Sequence, residues 1–308
     1  MDEILRLKKL TGLSESKLLF FIGVNKQRFI EWKDCYGNPP VKRNVPKSHW
    51  ATETEIMAVI EFKKANIEEG YKRLTWMMVD TNIVYLSPST VYRILVRASL
   101  NNRWTKPTCE PKKRGFEQPV RLHEHWHTDI SYINFKGTFL YLICVLDGFS
   151  RAILKWDIRE SMESFDVIIV LWGACCDWVF ETENKPRIIS DNGSQFISYE
   201  FKEALRDSGL THSRTSVNHP QSNGKIERFH GTAKQESLRN MPKFSIEQVK
   251  KEFGEWIDFY NTKRLHSAIN YVAPFDVING NRELILAERK RKLEIGKENR
   301  RLFFQDLL

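Results

Sequence analysis

The chain has 308 residues, 41% of them apolar, enough to bury more than one core and to make two or three globular modules. Lysine and arginine number 48 against 39 aspartates and glutamates, and the resulting +9 charge with a pI near 9.2 favours a polyanionic partner such as nucleic acid. The five cysteines (Cys35, Cys109, Cys144, Cys175 and Cys176) are odd in number and lack any Cys-x-x-Cys spacing, which argues against a disulfide framework or a thiolate metal site. Residues 1–10 carry charges where a secretory signal needs an apolar run, and no stretch approaches 18 uncharged apolar residues. No membrane partner is therefore expected, and a cytoplasmic protein with buried, reduced thiols is.

Residues 2–33 read as short helices. Leu5, Leu7 and Leu10 precede Thr11-Gly12, Leu18, Leu19 and Ile22 stop at Gly23, and Asn25 caps a third helix holding Phe29, Ile30 and Trp32. This outline fits a helix-turn-helix and equally a plain three-helix bundle. Pro39-Pro40, Lys42, Arg43 and Pro46 then form a basic linker. A second helical module follows, with helices over 52–64, from Gly70-Tyr71, and from Ser87-Pro88 through Leu95. On the last of these Thr90, Tyr92, Arg93 and Arg97 are candidates to face DNA, with packing as the other reading of Tyr92. Residues 101–117 hold Pro107, Pro111 and five basic residues, among them Lys112, Lys113 and Arg114, against Glu110 and Glu117. Such a linker either lies along DNA, gaining from counterion release, or is simply solvated. The expected division is 1–45 and 46–105 for the two DNA-binding modules, 106–119 for the linker, 120–280 for a catalytic core and 281–308 for a basic helical tail.

From residue 120 the texture turns to strands. His127–Ile133, Phe139–Leu146 and Ala152–Trp156 suit an antiparallel meander, with Lys136-Gly137 and Asp147-Gly148 at its turns. An apolar helix over 164–180, a strand over 187–190, a helix near 199–207, a strand near 212–215 and a helix around 222–239 follow. That order predicts an α/β, ribonuclease-H-like core with a mixed five-stranded sheet, preceded by all-α modules. The basic stretch from Arg289 through Arg301 reads as a helix that binds DNA, docks on a partner subunit, or is solvated.

Three carboxylates stand out. Asp129 lies within a strand, sharing a face with His127 and Ser131, and a carboxylate there is costly to bury unless paired or bound to a cation. Asp191 follows Ile188-Ile189 where a buried strand leaves its sheet, the usual place for chemistry in α/β folds. Glu227 shares a helical face with Asn223 and His230. Each acid alone also reads as an ordinary solvated side chain. Together, two aspartates and a glutamate from separate elements supply the hard oxygen ligands that phosphodiester transfer asks of a metal site, with 35 residues between the second acid and the third. Asn223, Lys225 and Arg228 flank the glutamate as candidates for contact with phosphate, His219-Pro220 and Gly224 are expected to shape a mobile loop over the site, and Asp147 reads as a turn residue.

The runs Trp126–Asp129, Ser190–Phe196 and Pro220–His230 resemble the acidic motifs of integrase-core transposases, most closely the second reading-frame product of insertion-sequence-three-family elements. Tyr260–Ile269 and Ala273-Pro274 resemble the segment that follows the core in that family, and Glu69–Leu74 and Ser87–Arg93 its helix-turn-helix region. The resemblance implies that Asp129, Asp191 and Glu227 are the catalytic, metal-binding triad, served by Mg²⁺ or its substitute Mn²⁺. It implies that the N-terminal helices recognise terminal inverted repeats, and that the reaction cuts element ends and joins them to target DNA within a homo-oligomer of two or more subunits. His123, His125 and His127 lack the paired cysteines of the retroviral zinc module, so no zinc is expected; His123 and His125 read as surface or strand-entry residues. The alternatives are a ribonuclease-H-like nuclease and a catalytically inactive DNA-binding regulator. A serine or tyrosine recombinase would need a covalent nucleophile in a basic setting, which the sequence does not present.

Overall fold

The structure, a computed structural model, describes residues 2–34, 36–37, 50–101, 118–179, 185–214 and 223–305. Two compact units separate, Met1–Lys47 and Ser48–Leu308. The first contains α1 (Asp2–Thr11), α2 (Glu15–Ile22) and α3 (Lys26–Asp34). Gly23 closes α2 in the left-handed conformation, and Asn25 Oδ1 accepts the Gln27 amide 2.8 Å away at the start of α3. Its core is small: Ile4, Leu19 and Phe29, with Val24 against them. Leu5 and Leu10, which the apolar pattern singles out in α1, are exposed, and Ile4 is the residue turned inward.

The second unit begins with α4 (Glu53–Ala65), α5 (Tyr71–Asp80) and α6 (Pro88–Arg97). Thr52 and Glu55 close a capping box on α4, and Ser87 caps α6 ahead of Pro88. Their apolar faces meet at Val59, Leu74, Met78, Val91 and Leu95, all fully buried.

The sheet is β1 (His125–Phe135), β2 (Thr138–Asp147), β3 (Ile153–Arg159), β4 (Arg187–Ser190) and β5 (Thr211–Arg214), ordered β3-β2-β1-β4-β5. β1, β2 and β3 pair antiparallel, and β4 runs parallel to both β1 and β5. The β1–β2 turn takes positive φ at Lys136 and Gly137, as a tight hairpin demands. This is the ribonuclease-H-like α/β arrangement. Alternation along β2 feeds two cores. Ile143 and Val145 pack with Trp126 against α7 (Ser164–Trp178) and α9 (Tyr199–Asp207), the latter preceded by the short α8 (Ser194–Ile197). Leu140, Leu142, Cys144 and Leu146 pack on the other face against α10 (Gly224–Ala233), which continues into a π-helical turn over Lys234–Leu238, and α11 (Ile246–Thr262). Cys144 is buried as expected, Cys175 is partly covered and Cys176 is exposed, because it falls on the outward face of α7; Cys35 and Cys109 lie outside the described residues.

After α12 (Pro274–Ile278) the chain forms α13 (Arg282–Gln305), which is neither free nor merely solvated. Arg289 is buried. It donates to both Asp80 oxygens at 2.8 and 2.6 Å and to the carbonyls of Asn270 and Tyr271, with its guanidinium 5.0 Å over the Trp76 ring. Arg300 reaches Glu55 at 2.8 Å and the Tyr85 carbonyl at 3.1 Å, and Gly296 sits so close to Tyr85 that a Cβ would lie 2.6 Å from that residue. The basic residues read from sequence as a tail therefore strap α13 to α4–α6. No helix among the described residues is long and apolar enough to cross a membrane.

Candidate active site

β1 and β4 bring Asp129 and Asp191 level with each other, and α10, packed on β1, carries Glu227. Asp129 lies opposite Cys144 on the face that α10 covers, its side chain 19% exposed, and His230 Nε2 stands 3.6 Å from its Oδ2. Parallel pairing matches His127 with Ile189, so Asp191, two residues on, leaves β4 level with Asp129. Asp191 Oδ1 accepts the Gly193 amide at 2.9 Å, and a Cβ on Gly193 would come within 3.1 Å of that oxygen, which is why glycine follows Asp-Asn here. Glu227 rises from the first turn of α10 and is exposed.

The electrostatics tie the three together. Asp129 is pushed up to about 7, first by burial, then by the charges of Asp191 and Glu227; the Ile130 amide and Lys234 oppose the shift. Burial leads this shift, and the two neighbouring carboxylates outnumber the single opposing cation, Lys234. The donor set is carboxylate oxygen, which suits a hard divalent cation. Among the described residues no three His, Cys, Asp or Glu side chains are already closed to metal-binding distance.

A second group of polar residues lies beside the acids. Asn223 is buried, which turns it away from a surface ligand, and it touches His127. His127, also buried, is held down to about 3, first by burial, then by Lys225 and Arg151. Lys225 does not reach into solvent: its Nζ donates to the Gly148 carbonyl at 3.1 Å, because the first turn of α10 faces the β2–β3 turn. Burial, then the Arg151 charge, pushes Lys225 down to about 7. Gly148 itself is tight, since a Cβ would lie 3.0 Å from both His127 Nε2 and the His125 carbonyl. Asp147 caps this turn through the amides of His123, Phe149 and Ser150 and the Ser150 hydroxyl.

Arg228, Arg93 and Arg97 are exposed, although Arg93 also folds back onto the Ser89 carbonyl. Tyr92 packs on Tyr71 with ring centroids 5.1 Å apart. His125 is buried at the start of β1, and His123 accepts the Trp126 indole. Lys112, Lys113, Arg114, His219 and Pro220 lie outside the described residues. Sequence reasoning did not single out Arg151, His266 or Lys234. The signal for Lys234 was its place two helical turns beyond Glu227, and His266 stood within a quoted motif.

An integrase core domain model matches residues 119–220 and a second model of that description matches 208–274. The chain is similar to the transposase for insertion sequence element IS904 of Lactococcus lactis, with 31% identity over 154 residues, 49% of this chain and 59% of the relative. It is also similar to the putative transposase for IS986/IS6110 of Mycobacterium tuberculosis, with 26% identity over 226 residues, 67% of this chain and 80% of the relative. Among solved structures it is similar to a chain of a simian T-cell lymphotropic virus intasome, with 18% identity, a TM-score of 0.47, and 71% and 73% of the two chains covered. The chain therefore carries an integrase core, and the relatives it is similar to over that core are insertion-sequence transposases.

Proposed function

We propose that the protein cuts the ends of an insertion element and joins them to target DNA, with Asp129, Asp191 and Glu227 as the catalytic acids. The observation that carries this reading is geometric: the parallel β1–β4 register sets Asp191 level with the largely buried Asp129, and α10, packed on β1, carries Glu227 in its first turn. These three acids would hold Mg²⁺, or Mn²⁺ in its place, and the ion when bound supplies Lewis-acid activation of an attacking hydroxyl and neutralises charge at phosphorus. Asp129, anchored within β1, fixes one ligand rigidly, while Asp191 and Glu227 present theirs at the open edge. His230, neutral because burial holds it down to about 3, packs beside Asp129 without adding charge. The Ser190 hydroxyl lies 2.9 Å from His212 Nε2 beside Asp191, but it is fully buried and 2.9 Å from the Asp191 carbonyl, so it is not placed to attack DNA and we read both steps as in-line displacements without a protein–DNA bond.

The helical modules α1–α3 and α4–α6 read the terminal inverted repeats, with Arg93 and Arg97 on the exposed side of α6 and the basic segment holding Lys112, Lys113 and Arg114 along the backbone. Two ends must be handled at once, so the working form is a homo-oligomer acting on DNA in the cytoplasm. In a test with element-end duplexes and Mg²⁺, Asp129→Asn, Asp191→Asn and Glu227→Gln each abolish cleavage and joining while DNA affinity stays within about threefold of wild type, because each keeps shape and removes a hard ligand. Cleavage retained by any one of the three removes that residue from the site. Wild-type cleavage without joining points to the nuclease reading, and DNA binding without either to the inactive regulator.

A further inference from the structure

Next to the three acids the fold gathers Arg151, Lys225 and Arg228, none of which forms an ion pair among the described residues, although Asp147 bears on Arg151 and Lys225 and Glu124 on Lys225. Arg151 sits in the β2–β3 turn with φ 68, a left-handed backbone that a side chain other than glycine adopts only when its surroundings require it. Its Nε is buried without a hydrogen-bond partner. The Arg151 carbonyl accepts the Tyr260 hydroxyl at 3.3 Å, and that hydroxyl lies 3.2 Å from His266 Nε2, while His266 Nδ1 is buried without a partner. Lys225 is pinned to the same turn through Gly148, and Arg228 follows one helical turn along α10, adjacent in sequence to Glu227.

The acids near this group are already engaged. Asp147 spends both oxygens on three backbone amides and Ser150. Arg264 and Arg73, which flank His266, are satisfied by Glu236 and Glu69. Neither Arg151 nor Arg228 forms an ion pair among the described residues. Arg151 repels both Lys225 and Arg228, and of the three Arg151 and Lys225 are partly buried while Arg228 is exposed, so an anion arriving between them gains from all three charges. A purely structural role does not account for this, since apolar residues would fill the turn without the repulsion.

We propose that Arg151, Lys225 and Arg228, backed by His266, form a cradle for a phosphodiester group of the DNA strand that enters the carboxylate site, one that flanks the reacting phosphate. This rests on the function proposed above and adds to it the residues that set the position of the strand. Arg151 and Arg228 offer planar forks matched to phosphate oxygens, and Lys225 supplies a point charge between turn and helix.

The test uses the full chain and duplex DNA in metal-free buffer, with affinity measured by fluorescence anisotropy across a series of salt concentrations. Arg228→Gln changes an exposed side chain and leaves the fold intact, as a thermal melt verifies; Arg151→Gln and the double variant are measured beside it. Each single replacement is expected to weaken binding about three- to tenfold, and the double variant to flatten the slope of log K against log salt by about 1, the loss of one phosphate contact. The control Arg291→Gln, on the exposed side of α13, keeps the wild-type slope. Wild-type affinity and slope in the double variant would overturn the cradle while leaving the catalytic reading standing; wild-type protein that binds no DNA would overturn both. Calorimetry with inorganic phosphate separates the sources, because saturable phosphate binding that disappears in the double variant, with an unchanged DNA slope, assigns the site to free phosphate and not to DNA.

Discussion

Two neighbouring regions of the core pose the same electrostatic problem with opposite signs. At the carboxylate site Asp129, Asp191 and Glu227 crowd negative charge, and Asp129 answers by holding its proton up to about 7. At the β2–β3 turn Arg151, Lys225 and Arg228 crowd positive charge, and Lys225 answers by releasing its proton down to about 7. Burial is the first cause in each case, and like charge adds to it. Under both proposals the repulsion has one meaning: a cation would supply the missing charge at the acids, and a phosphate would supply it at the turn.

The comparison breaks most visibly in activity. Asp191→Asn is expected to lower strand transfer on the order of a thousandfold or more, whereas Arg228→Gln is expected to lower it only about tenfold and to recover when salt is reduced, since only the former removes a group acting at the reacting centre. Rates from gel-resolved products on one element-end substrate check both; equal losses would mean that the two regions are one site.

Stability responds next. Asp147→Ala strips hydrogen bonds from the amides of His123, Phe149 and Ser150 around a fully buried position, and should cost about 3 kcal/mol in urea unfolding. The cationic turn then loses its frame while the carboxylate site keeps β1. An intact urea midpoint in this variant would mean that the cations do not depend on Asp147 for their placement.

The pH dependence sharpens the contrast because the signs oppose. His127 and His266 are each held down to about 3 by burial first and neighbouring cations second. The unfolded chain takes up their protons near 6.5 and the folded chain does not, so each withdraws stability as pH falls from about 6.5 towards 3, at up to about 1.4 kcal/mol per pH unit. Asp129 acts the other way: its folded value near 7 exceeds the unfolded 3.8, so it restores stability as pH falls through that window. Urea midpoints between pH 7 and 5 should therefore fall more steeply in Asp129→Asn than in wild type, and parallel curves would refute the assignment. The smallest expected effect is Gly148→Ala, about 1 kcal/mol, from a methyl forced to within 3.0 Å of His127 Nε2 and the His125 carbonyl.

The acids were legible in sequence because their signals are local. A period-two strand carries Asp129, an apolar strand end carries Asp191, and the Lys136-Gly137 hairpin fixes the meander between them. The β4 and α9 ranges follow the sequence expectation for the same reason. Of the cationic group Lys225 and Arg228 stood out beside Glu227, but Arg151 did not, since it owes its position to a left-handed turn and to Tyr260, 109 residues away. Asn223 and Lys225 read from sequence as candidates for contact with phosphate; the burial of Asn223 and the bond of Lys225 to the Gly148 carbonyl come from the packing of α10 against the β2–β3 turn. α11 escaped notice because its apolar face answers to β2 and β3, not to a neighbour in sequence.

The α13 strap bears on the order in which the chain acquires its shape. Arg289 and Asp80 are 209 residues apart, and Arg300 and Glu55 are 245 apart. The helices α4–α6 leave the ribosome early with Asp80 and Glu55 still unpaired, and their final partner emerges only after the whole α/β core has been made. Loop closure over such a distance is slow, so the module first docks loosely and becomes fixed late. Translation thereby serves as a timer: Glu55 and Asp80 gain their arginine partners only after every strand of the sheet has been synthesised.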